Sequence, residues 1–226
     1  MGSIAVKNRI RYKTTIGIFL LVLFHLVGFI GLTNDYYSDF FISLTPFHLL
    51  FSSIILFAFH KDWSSSFYFF FILTFLVGYF VEVIGIQTGV IFGQYKYGSV
   101  LGPKIFETPL IIGVNWLMLL YCTGMICKSV SKNLYINTIC ATLLMVLLDI
   151  FIEPVAITLG FWEWSNPVVP LQNYIAWGLI SFALLYIFYY LPFQKINALA
   201  LCFYLVQLSF FISLNLFYNI EHYIQY

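Results

Sequence analysis

Three carboxylic acids sit where carboxylic acids are costly. Glu82, Asp149 and Glu153 fall within or at the end of long apolar runs, in a chain of 226 residues of which only 8% are charged. An ionisable group in such a run needs a partner or a function. Asp149 and Glu153 are four residues apart and so share one helix face. A carboxyl group in a poorly hydrated site keeps its proton at higher pH than it would in water, and a second carboxylate nearby strengthens that effect. Paired carboxyls in a greasy pocket are what acid-initiated chemistry on an alkene requires. The same arrangement also serves proton-coupled transport, so these residues define a protonation site before they define a reaction. Glu153, beside Pro154, reads equally as an interfacial residue reaching water; Asp149 is shorter and one turn deeper.

Other groups fall in the same zone. Asn115, Trp116, Gln172, Asn173 and Trp177 add polar and aromatic side chains near the ends of two apolar runs. His25 and His48 lie inside apolar runs and read first as hydrogen-bonded packing residues, with a proton relay as the alternative. His60 and His222 carry no clear signal. The cysteines Cys122, Cys127, Cys140 and Cys202 form no CxxC or Cys/His cluster and read as small apolar packing residues. The lone Asp149-x-x-x-Glu153 pair is too thin for a magnesium-held diphosphate site. The last apolar run holds no lysine for a retinal Schiff base, and phosphate-loop, hydrolase-elbow, zincin and dinucleotide motifs are absent.

The elements that must position these groups follow from composition. Hydrophobic residues make up 62% of the chain and aromatics 21%, including 26 Phe and 17 Tyr. An ordinary soluble domain is about 25% charged, so the reading is an integral membrane protein, not a soluble enzyme or a disordered chain. A net charge of +1 supplies no field for a nucleic acid. Apolar stretches run over 14–32, 41–59, 67–87, 109–127, 134–153, 173–191 and 198–218. The expected fold is all-α: one polytopic helical bundle over residues 1–226, with about seven transmembrane helices, in the plasma membrane. The first run is too long for a signal-peptide core and no small-residue cleavage site follows it, so it reads as a retained span.

With the N-terminus cytoplasmic, Lys7, Arg9, Arg11, Lys13, Lys61, Lys128, Lys132 and Lys195 fall inside, and only Lys96 and Lys104 outside. That bias fits seven alternating spans with the C-terminus outside. Two outer loops, Gln87–Thr108 and Pro154–Gln172, are rich in Gly, Pro, Tyr or Trp and are expected to fold back over the bundle. The topology brings Glu82, Asp149 and Glu153 to one leaflet beneath them.

The loops and their flanks carry an ordered pattern. The first reads Glu82-x-x-Gly85-x-x-Thr88-Gly89-x-x-Phe92-Gly93-x-Tyr95-Lys96-Tyr97, then Leu101-Gly102-Pro103, with Pro109 and Trp116 following. The second reads Asp149-x-x-x-Glu153-Pro154, Gly160-x-Trp162-x-Trp164, then Pro170-Leu171-Gln172-Asn173-Tyr174-x-x-Trp177. Over roughly residues 78–180 this resembles the CruF-type carotenoid hydratase family, which includes hydratases of the bacterioruberin pathway. The first, second and seventh apolar runs match in hydropathy only. One departure, Glu107-Thr108-Pro109 where the family reads Gly-x-Pro, bears on substrate preference.

The resemblance implies addition of water across the terminal double bond of an acyclic carotenoid end, such as that of lycopene or gamma-carotene, giving a tertiary alcohol. It implies no redox cofactor, because hydration changes no electron count, and no metal. The implied partners are the carotenoid, membrane lipids and other enzymes of the pathway, with no nucleic acid. Any of the three carboxyls could be the acid; the residue chemistry favours Asp149, with Glu82 as partner or base and Glu153 as third choice. Trp116, Trp162, Trp164, Tyr95 and Trp177 are the rings available to steady a cation, and Asn173, Thr88 or a carboxylate could orient the water. A carotenoid cyclase, which protonates the same alkene but excludes water, and a proton-coupled lipid transporter are the alternatives.

Overall fold

The computed structural model describes residues 2–218, with side chains from Tyr12 onward. The side chains of Lys7, Arg9 and Arg11, the residue His222 and the C-terminal Tyr226 lie outside the described residues. The chain is predominantly helical. α1 spans Gly2–Leu32, α2 Ser38–Ser43, α3 Thr45–Ala58, α4 Ser65–Thr88, α5 Ile111–Cys127, α6 Leu134–Thr158, α7 Leu171–Tyr190 and α8 Ala200–Phe217. Five of these, α1, α4, α6, α7 and α8, are long and apolar enough to cross a membrane; α3 and α5 are apolar but shorter. At 1.5 Å per residue, the 17 residues of α5 reach about 26 Å and the 14 of α3 about 21 Å, against a hydrocarbon core of about 30 Å.

α5 is the hub. It is apolar all round because it is surrounded, packing against α3, α4, α6, α7 and α8. Trp116, Met118, Leu120, Tyr121 and Cys122 are fully buried. The run drawn from sequence as 41–59 is two helices, α2 and α3, because Leu44 closes the first and Pro46 falls in the first turn of the second. A larger departure concerns α6, which continues through Pro154 to Thr158, although the proline reads locally as its end. Pro154 leaves a carbonyl without its helical donor. One residue further along, Asn215 of α8 donates to the Phe151 carbonyl at 2.8 Å. Packing against a neighbouring helix carries the helix past the proline.

The two long loops meet at one end of the bundle. Strand β1 (Tyr95–Tyr97) pairs antiparallel with β4 (Trp162–Trp164), in the register Tyr95↔Trp164, Lys96↔Glu163 and Tyr97↔Trp162. Between them in sequence, β2 (Lys104–Ile105) and β3 (Thr108–Pro109) form a hairpin whose loop residues, Phe106 and Glu107, both have positive φ, as a tight two-residue loop requires. Tyr79 Oη of α4 donates to the Ile105 carbonyl at 2.6 Å and fixes that hairpin to the bundle.

The opposite end holds a smaller polar latch. His60 Nδ1 lies 2.8 Å from Tyr121 Oη, and Asn197 Nδ2 donates to the same hydroxyl at 3.0 Å and to the Leu56 carbonyl at 2.8 Å. Phe67 stacks on His60, and Phe70, Phe188 and Phe193 pack beside it. These contacts tie together the α3–α4 turn, α5 and the α7–α8 turn.

Candidate active site

Period-two alternation in the ribbon sorts its side chains. Tyr95, Tyr97, Trp162 and Trp164 face the bundle. Lys96 and Glu163 face away and form an ion pair at 3.0 Å, with side chains 76% and 70% exposed. The four inward rings divide their donors between two carboxylates. Tyr95 Oη and Tyr97 Oη donate to Glu82 Oε2 at 2.5 and 2.9 Å. Trp162 Nε1 and Trp164 Nε1 both donate to Glu153 Oε2 at 2.9 Å. Tyr95 and Trp164, paired in the register, bring their rings to 4.9 Å, so the two carboxylate clusters adjoin.

Helices complete each cluster. Glu82 Oε1 accepts from Trp116 Nε1 of α5 at 2.9 Å. Trp116 can lie this close to α4 because position 78, one turn before Glu82, is glycine: a Cβ there would stand 2.4 Å from Trp116 Cβ. Trp116 in turn stacks on Trp177 of α7, with centroids 4.0 Å apart and planes 19° from parallel. Asn173, in the first turn of α7, bridges the acids of α6. Its Nδ2 donates to Asp149 Oδ2 at 3.1 Å and to Glu153 Oε1 at 3.2 Å.

The three acids are alike in burial and unlike in partners. Glu82 is 3% exposed, Asp149 1% and Glu153 3%. Glu82 and Glu153 each accept from three donors, and indole N–H groups can only donate, so both serve as acceptors. Asp149 accepts from one donor, and its Oδ1 is buried without a hydrogen-bond partner among the described residues. Tyr95 and Tyr97, in the loop, are pushed above the ordinary phenol range by burial first and by the Glu82 charge second. Both therefore remain neutral donors near pH 7.

The expected residues separate clearly on this geometry. Glu82, Glu153, Asp149, Trp116, Asn173, Tyr95, Trp162 and Trp164 join one hydrogen-bonded cluster, and Trp177 stacks on its edge. Thr88 does not join them: exposed at the end of α4, its hydroxyl donates to the Ile84 carbonyl at 2.7 Å and accepts from Val90 N at 3.2 Å. Glu153 is not at a water interface, because α6 runs on past it and the ribbon covers it. Tyr97 was missed as a site residue, although its spacing of two from Tyr95 signals the same strand face. His25 and His48 are not solitary; their Nε2 atoms lie 3.4 Å apart. All four cysteines are free, Cys122 and Cys127 buried and Cys140 and Cys202 half-buried. Among the described residues, no group of three or more His, Cys, Asp or Glu side chains is placed to hold a metal ion.

Apolar membrane-length helices around buried acids, closed by an aromatic cap, define a multi-pass membrane protein with a sheltered cluster of carboxylic acids. The chain belongs to the family described as carotenoid biosynthesis protein, which matches residues 44–224. It is also similar to the bisanhydrobacterioruberin hydratase of Haloarcula japonica, with 30% identity over 115 residues, covering 45% of this chain and 38% of that relative. The chain therefore matches well under half the length of that relative. No solved structure matches it. The family and the relative's name agree with the hydratase-like pattern of the two loops.

Proposed function

We propose that this protein hydrates the open end of an acyclic carotenoid, adding water across the terminal C1=C2 double bond to give a tertiary 1-hydroxy end group. The observation that carries the reading is the buried Oδ1 of Asp149, without a partner among the described residues, beside two carboxylates that each accept from three donors. A carboxyl oxygen with no donor to satisfy is available to carry a proton and to deliver it.

The steps balance without electron transfer. The Asp149 carboxylic proton goes to C2, and the π pair forms the new C–H bond, leaving a tertiary cation at C1. Water oxygen bonds to C1 and its surplus proton passes to a carboxylate, which restores the acid. Glu82 supplies negative charge beside the cation and serves as partner or base. Asn173, whose amide already spans Asp149 and Glu153, orients the water; Thr88 has no part in this. The faces of Trp116, Trp177, Trp162, Trp164 and Tyr95 steady the cation by about 0.5–2 kcal/mol for each well-placed ring. Burial keeps the acid dry until the alkene arrives, and a lipid substrate enters sideways from the bilayer.

In this reading residues 1–226 form one seven-span membrane domain of the plasma membrane, with the N-terminus cytoplasmic and α3 and α5 as the two shorter crossings. Expression in cells that accumulate lycopene tests the function. A hydroxylated open-chain pigment is expected. A cyclised pigment supports the cyclase instead, and unchanged lycopene contradicts hydration of this substrate.

A further inference from the structure

On the other side of α6 lies a cavity of about 600 Å³ between α1, α3 and α8, within the roughly 300–1,000 Å³ of ligand sites. Phe24, Phe51, Phe210 and Leu214 wall it, and its lining includes Val155 of α6 and Phe161, the residue before Trp162. Three polar side chains, Thr45, His48 and Gln207, interrupt the apolar wall, and only the last two carry nitrogen groups.

Their hydrogen-bonding states can be read from neighbours. His25 Nδ1 lies 2.7 Å from the Leu21 carbonyl, which only accepts, so Nδ1 carries a proton. In a neutral His25, Nε2 is then an acceptor. His48 Nε2, 3.4 Å away, must be the donor. This leaves His48 Nδ1 as an acceptor without a partner among the described residues. Gln207 is 4% exposed, lines the same cavity, and its amide makes no hydrogen bond among the described residues. Both side chains line the cavity, and a ligand group that both donates and accepts would pair with the two together.

We propose that this cavity binds the hydroxylated end of a long isoprenoid, its hydroxyl donating to His48 Nδ1 and accepting from the Gln207 amide. The occupant is a carotenoid already carrying a tertiary hydroxyl, held while its other end is free to react or to leave. The choice of a carotenoid alcohol over another lipid alcohol rests on the proposed hydration; the hydroxyl itself follows from the cavity.

The test uses the full chain in lipid nanodiscs and a diazirine-bearing geranylgeraniol as a photolabel. Label should map to peptides of α1, α3 and α8. 1-Hydroxylycopene should displace it at a roughly five- to tenfold lower concentration than lycopene, the value of about one net hydrogen bond. Gln207→Leu and His48→Phe should each bring that ratio towards one while lycopene still competes. Labelling elsewhere, or equal competition by the two pigments on the unaltered protein, overturns the proposal. Hydration of lycopene is assayed on the same nanodiscs. Its absence with the hydroxyl preference intact removes the hydratase reading and leaves the cavity's hydroxyl selectivity standing; turnover without the preference removes only the cavity proposal.

Discussion

Each of the three acids sees a different set of donors, and that difference ranks their substitutions. Asp149→Asn keeps size and the Asn173 contact but removes the transferable proton. General acid catalysis is worth about 10²–10⁴-fold, and turnover should fall by at least that much at unchanged membrane abundance. Glu82→Gln places an amide where two phenols and an indole donate. One amide oxygen cannot serve both sides of the original carboxylate, so turnover should also fall severely. Glu153→Gln would be mild if that residue reached water, as its place beside Pro154 suggests. Buried under Trp162 and Trp164, it should instead weaken the site, losing about 1.5–3 kcal/mol for each charge-assisted bond broken. Thermal melting of the three purified variants checks this. A Glu153→Gln melting midpoint equal to the unaltered protein's would argue against the cap's role.

The β1–β4 ribbon is the element that makes one site out of two loops. Its outward pair, Lys96 and Glu163, is solvated, and such a pair contributes at most about 1 kcal/mol. Lys96→Ala should therefore leave melting and turnover nearly unchanged. Tyr97→Phe, one residue along on the inward face, removes a donor to a buried acid and should cost about 1–3 kcal/mol. Gly78→Val tests the helix side, because the added bulk must push Trp116 off Glu82. Loss of turnover with a changed tryptophan fluorescence is expected. The alternation in Tyr95-Lys96-Tyr97 and Trp162-Glu163-Trp164 is visible in sequence, but their pairing is not. The strands lie far apart in the chain, and register is a non-local property. Pro154 misleads for a related reason: a proline ends a helix on local grounds, whereas α8 packing carries α6 onward. The His25–His48 contact is likewise invisible to residues read one at a time.

At the scale of the molecule, hydropathy located the helices well, because apolar runs in lipid have few other structures open to them. It could not show that two of them fall short of membrane length, since length in residues and reach through a bundle are set by neighbours. The charge bias predicts where the ends lie. A reporter fused after Tyr226 should be active only on the non-cytoplasmic side; cytoplasmic activity would contradict the seven-span arrangement and move the cap to the other face. The central claim, that a buried aspartic acid adds water to a carotenoid alkene, is tested by isotope. Membranes carrying the unaltered chain or Asp149→Asn, at equal abundance, are given lycopene in water enriched in oxygen-18, and the pigments are weighed by mass spectrometry. One oxygen-18 atom per hydrated end is expected from the unaltered chain and none from Asp149→Asn. An unlabelled hydroxyl, or near-normal labelled product from Asp149→Asn, would contradict that claim.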